Sequence, residues 1–132
     1  MGGLKTYLAG LAFACASFSA QSMPSDPREQ VQLFASCAGR FSAQMEYAWL
    51  VGHDGADERA RRHTFVTLLD AVFPASDTGL TGPEVLDIRI RAKHAQARLL
   101  QTARFDQNGE RSARARARAQ ELTALCNALI LS

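Results

Sequence analysis

The sequence predicts an all-α protein: an antiparallel, up-down-up-down four-helix bundle preceded by a cleavable signal peptide. Two observations carry that prediction. Four stretches repeat apolar residues at alternating spacings of three and four, and capping or helix-breaking residues separate them. No stretch shows the strict alternation that marks a half-buried strand.

Residues 1–22 have the three-part layout of an export signal, with a positive start ending at Lys5, an apolar run from Leu8 to Phe18, and small residues beyond. The run is about eleven residues long, whereas a bilayer span needs ~20. Small residues one and three places before the cut favour cleavage after Ala20-Gln21-Ser22, and Met23 would then begin the mature chain. No later segment is long and apolar enough to be a transmembrane helix. The expected location is the periplasm, with release to the medium as the alternative.

Residues 23–132 are read as a single helical domain. The first helix is expected over 27–51, with Val31, Phe34, Ala38, Phe41, Met45 and Ala48 on one stripe, and Gly52-His53-Asp54-Gly55 breaks it. The second starts near Asp54 or Asp57, either a potential cap, buries Phe65, Leu68, Leu69, Val72 and Phe73, and stops at Pro74. Thr81-Gly82-Pro83-Glu84 has the form of a capping box with an early proline, and so opens a third helix that runs to about Phe105. Its inward stripe is Val85, Ile88, Ala92, Ala95, Leu99 and Ala103, small enough in the middle to admit a close neighbour. Asn108-Gly109 separates it from a fourth helix over 110–130, with Ala115, Ala119, Leu122, Cys126 and Leu129 inward.

Of three cysteines, Cys15 lies in the export signal, which leaves Cys37 and Cys126. An even count in an oxidising compartment reads as a disulfide. Each cysteine stands on an apolar stripe, and the first and fourth helices of an up-down bundle are adjacent. The bridge would close a loop of nearly ninety residues.

Charge is unevenly spread. From Asp26 to Asp87 there are ten acidic and five basic residues, while from Arg89 to Arg118 there are nine basic and two acidic. Arg111, Arg114 and Arg118 share one side of the fourth helix and Arg116 points away, giving a basic surface suited to an envelope protein or an anionic envelope component. Tyr47 and Trp49, with His53, make a second candidate contact patch at the first loop, because aromatic anchors favour interface centres. Nucleic acid is not an expected partner in an exported protein whose basic helix lacks interleaved aromatics.

Catalytic signatures are missing. The chain has no Cys-x-x-Cys, no Gly-x-Ser-x-Gly, no His-Glu-x-x-His and no phosphate-cradling glycine loop. His53, Asp54, Asp57 and His63 match no zinc or calcium spacing, so neither metal nor cofactor is expected. The leading expectation is a non-enzymatic, exported binding module of the cell envelope that works through its basic helical face. The alternative is a carrier of a small apolar ligand or of haem within the bundle, for which Met45, His63 and His94 would be the ligand candidates.

Overall fold

The computed structural model describes residues 23–74 and 77–131; the signal peptide expected over 1–22 lies outside the described residues. Within them the chain forms four helices and no strand: α1 (Pro27–Leu50), α2 (Ala56–Val72), α3 (Gly82–Phe105) and α4 (Gly109–Ile130). No helix is long and apolar enough to cross a membrane among the described residues.

Local chemistry sets most of these boundaries. The Asp26 carboxylate accepts from the N–H groups of Arg28 and Glu29, and Pro27 occupies the first turn of α1. The capping box of α3 is complete: Thr81 Oγ1 accepts from Glu84 N, and the Glu84 carboxylate accepts from Thr81 N at 2.8 Å. Asn108 caps α4 by accepting from Arg111 N at 2.9 Å.

The start of α2 differs from expectation. Gly55, not an aspartate, is its N-cap, with φ of 64° and no side-chain cap. Asp54 stands one place ahead and accepts from Ala56 N at 2.9 Å. The turn is held from α1, because Trp49 Nε1 donates to the Asp54 carbonyl at 2.9 Å. A Cβ on Gly55 would lie 3.1 Å from that indole nitrogen and 3.2 Å from the Met45 carbonyl oxygen, so both space and backbone favour glycine there.

α1 is the hub. It carries ten buried residues, against two on α2, three on α3 and three on α4, so it is the most enclosed of the four helices. Phe65 of α2 is fully buried against Phe34 and Phe41 of α1, stacked on Phe41 at 5.9 Å between centroids. Each such burial stabilises by roughly 1.5 to 3 kcal/mol. α3 runs in the same direction as α1: Arg28 donates to the carbonyls of Thr78 and Gly79 just ahead of α3, and Ala43 and Tyr47 pack near Leu100 further along. α4 returns along α3, with Ser112 bonded to the Ala103 carbonyl and Gln96 to that of Ala119.

The backbone of α2 comes close to α1 and not to α3 or α4, although Phe65 and Leu69 share one apolar cluster with Val85 of α3 and Cys126 of α4. The largest contact of the fold is between α1 and α3, the pair that would be diagonal in a closed square of helices. Gly39 makes that approach, since a Cβ there would overlap the Arg89 carbonyl oxygen and sit 3.0 Å from Lys93 N. With α1 and α3 this close, α2 and α4 are left on separate flanks. α4 meets α1 over a short stretch, where Cys37 and Cys126 are joined as a disulfide with Cα atoms 5.7 Å apart.

The inward stripes of α1 and α4 follow the spacing in the sequence, but of the stripe expected on α3 only Val85 is buried, and Ile88, Ala92, Ala95, Leu99 and Ala103 are half-buried. Gln96 and Leu100 are buried there as well as Val85, because α3 faces both α1 and α4. Gln96 is fully enclosed, and its Nε2 donates to Ala119 O at 3.1 Å.

Candidate functional site

The arginines of α4 are ordered by their neighbours. Arg111 grips Asp106 with two N–H groups, Nη2 to Oδ1 at 3.0 Å being one of them, while its backbone N–H meets the Asn108 cap. This clamp and the Asn108 N–H hold the Asp106 carboxyl below its ordinary range, and Asp106 in turn raises Arg111. Arg114 stands 3.6 Å from Glu110 and Arg118 2.8 Å from Glu121, each along the helix. Exposed pairs of this kind contribute ~0.3–0.5 kcal/mol each, so their main effect is to orient guanidinium groups.

Arg111, Arg114 and Arg118 border one groove of about 750 Å³ on the outer side of the α3–α4 pair. Its floor is small and apolar, formed by Ala95 and Leu99 of α3 and by Ala115 and Leu122 of α4. The fourth cation on its rim is Arg98, contributed by α3, which makes no ion pair or side-chain hydrogen bond among the described residues. A charge count along α4 misses Arg98 as a partner of these arginines. The signal is that α3 and α4 run antiparallel, which brings position 98 opposite 111–118. The result is an arginine-rimmed trough: an apolar base for contact area and four directional cations for an anionic partner.

The remaining candidate residues do not join that groove. Arg116 turns to the other side and donates to the Ala103 carbonyl at 3.2 Å. Tyr47 lies on that side too, in a smaller groove of about 300 Å³ with Gln44, Arg104 and Arg116. Trp49 is half exposed and bound to the α1–α2 turn through Asp54. Tyr47 and Trp49 therefore leave α1 toward different neighbours, one to α3 and α4, the other to its own loop.

Arg40 covers the disulfide, with Nη1 3.6 Å from Cys126 Sγ. Burial, followed by the nearby charge of Arg118, pushes its pKa down from the ordinary guanidinium value. Both cysteine sulfurs are shielded, each residue being fully buried. Among the described residues no three His, Cys, Asp or Glu side chains converge as a metal site. Met45, His63 and His94 are not gathered on one cavity: Met45 lines a cleft beside α2, His94 borders an outer hollow with Arg98, and His63 is exposed on α2.

No family model matches the chain, and neither curated proteins nor solved structures give a match.

Proposed function

We propose that this chain is an exported, up-down-up-down four-helix bundle of the cell envelope, a non-enzymatic binding module that takes an anionic partner on the α3–α4 face. The observation that carries the reading is the trough between α3 and α4, an apolar floor ringed by Arg98, Arg111, Arg114 and Arg118. A partner with acidic groups flanking an apolar ridge would desolvate the floor and exchange the weak local pairs of Arg114 and Arg118 for its own charges. The periplasm is the proposed compartment. A shielded Cys37–Cys126 pair supports it, because such bonds persist where the environment is oxidising.

The test is retention of the disulfide-bonded protein on immobilised envelope proteins and on anionic envelope polymer over a salt gradient. Retention should weaken as salt rises, since exposed charge attraction is screened within ~10 Å at 0.1 M. R114E/R118E should abolish it. Retention of that double variant equal to the parent would rule the trough out as the contact surface.

A further inference from the structure

The backbones of α2 and α3 both approach α1 but not each other, and a cleft of about 350 Å³ runs between them. The floor belongs to α1. There Ser42 is buried, its hydroxyl donating to the Ala38 carbonyl at 2.8 Å and accepting from Arg62 Nε at 3.0 Å. Arg62 of α2 is thereby tied to α1, with its terminal N–H groups unspent among the described residues.

Arg89 reaches into the same cleft from α3. Its backbone is pinned by the Gly39 approach, its side chain is partly buried, and its guanidinium makes no hydrogen bond or ion pair among the described residues. Burial and the charge of Arg62 both press its pKa downward, and Asp70 across on α2 opposes them. Lys93, one turn along, is occupied by Glu46 of α1. Two guanidinium groups therefore share a partly dehydrated space with donors to spare, an arrangement that a bound oxyanion would relieve by accepting from both.

The wall beside Arg89 is apolar and wet. Leu86 and Ile90, one helical turn apart on α3, are 54% and 43% exposed and line the cleft with Met45. A small hydrated anion alone would leave that wall uncovered. A ligand with an oxyanionic head and an aliphatic tail would use both parts, gaining roughly 25 cal/mol for each Å² of apolar surface removed from water. The size of the cleft is in the range of small-molecule sites, ~300–1,000 Å³.

We infer that the α2–α3 cleft binds a single-chain amphiphile, its oxyanionic head between Arg62 and Arg89 and its chain along Leu86 and Ile90. This assignment is independent of the α3–α4 trough, which lies on another face and uses other arginines.

Isothermal titration of the disulfide-bonded full chain with dodecyl phosphate, below its micellar concentration, tests the assignment. One-to-one binding is expected, with competition by inorganic phosphate and at least tenfold weaker binding of the uncharged dodecyl maltoside. R89Q should lose tenfold or more in affinity, and R114E should lose nothing. L86D changes an exposed position and leaves the packed core untouched, so it reports on the chain-binding wall even if R89Q does not fold; its affinity for dodecyl phosphate should also fall at least tenfold. Equal affinity for the phosphate and the maltoside would overturn the assignment, as would parental affinity in L86D or a loss confined to R114E.

Discussion

Cys126 and Cys37 join α4 to α1 across 89 positions of sequence, at the short stretch where those two helices meet. α4 otherwise rests on α3, so the bridge is its principal link to the hub of the fold. Cross-linking a loop of that length removes denatured-state entropy worth about 4 to 5 kcal/mol in the chain-entropy model. Replacing both cysteines by alanine should lower unfolding stability by an amount of that order, read as a shift in the urea midpoint. A dithiothreitol titration of the parent should reproduce the shift, and a midpoint unmoved by either treatment would contradict the role given to the bridge.

Gly39 provides a prediction with a counterintuitive sign. Within an exposed helix, Gly to Ala stabilises by ~1 kcal/mol, because alanine loses less backbone entropy on folding. At this position the new methyl would overlap the Arg89 carbonyl and crowd Lys93 N, both parts of a backbone that cannot rotate away. G39A should therefore be net destabilising, with an overpacking cost of about 1 to 3 kcal/mol or more outweighing the propensity gain. Thermal unfolding of G39A beside the exposed-helix control A113G separates the effects, since both should melt below the parent although the substitutions run in opposite directions. A stabilised G39A would mean that α1 and α3 are not in this close contact.

Acid should loosen the α3–α4 turn. Folding lowers the Asp106 pKa through the Arg111 side chain and the Asn108 N–H, and lowers that of Glu84 through its bonds to Thr81. A carboxyl whose folded pKa is depressed contributes its full stability above the unfolded value and loses it as pH falls through the folded value. Stability from these two groups should be flat near neutrality and should decline below about pH 5. D106N should be less stable than the parent at pH 7, and the gap should narrow by pH 3. Urea midpoints of both proteins at pH 7, 5 and 3 give the comparison, and a gap independent of pH would remove Asp106 from the acid response.

Much of the fold was legible because its signals are local. The Thr81–Glu84 box is legible as a cap from the chain alone. Asp26 and Asn108 also act on backbone groups within three residues, but the sequence marks them only as turn and break residues, and Asn108 caps α4 with φ of -78° instead of ending α3 in the left-handed conformation. The α2 start could not be read that way. Its geometry depends on Trp49 reaching the Asp54 carbonyl and on the space left at Gly55, both consequences of how the first loop folds back on α1.

The candidate sites divide along the same line. Spacing of 111, 114 and 118 on one helix places three arginines on a common side, but the trough exists only because antiparallel α3 contributes its apolar floor and Arg98. Arg62 and Arg89 stand 27 positions apart in the numbering and on helices whose backbones never touch. Nothing in their local sequence marks them as neighbours; Gly39 does so indirectly, by drawing α3 onto α1 and leaving a cleft beside α2.

The sequence by itself determined four helices, most of their boundaries, the cysteines that pair and the segregation of positive charge toward the back half, because each follows from periodicity, capping or counting. Tertiary structure alone decided that α1 is the hub, that α1 and α3 are the closest pair, that Gln96 is buried and that Arg62, bonded to Ser42, shares a cleft with Arg89. Those outcomes depend on which side chains are small at the point where two helices cross, and that is a property of paired surfaces.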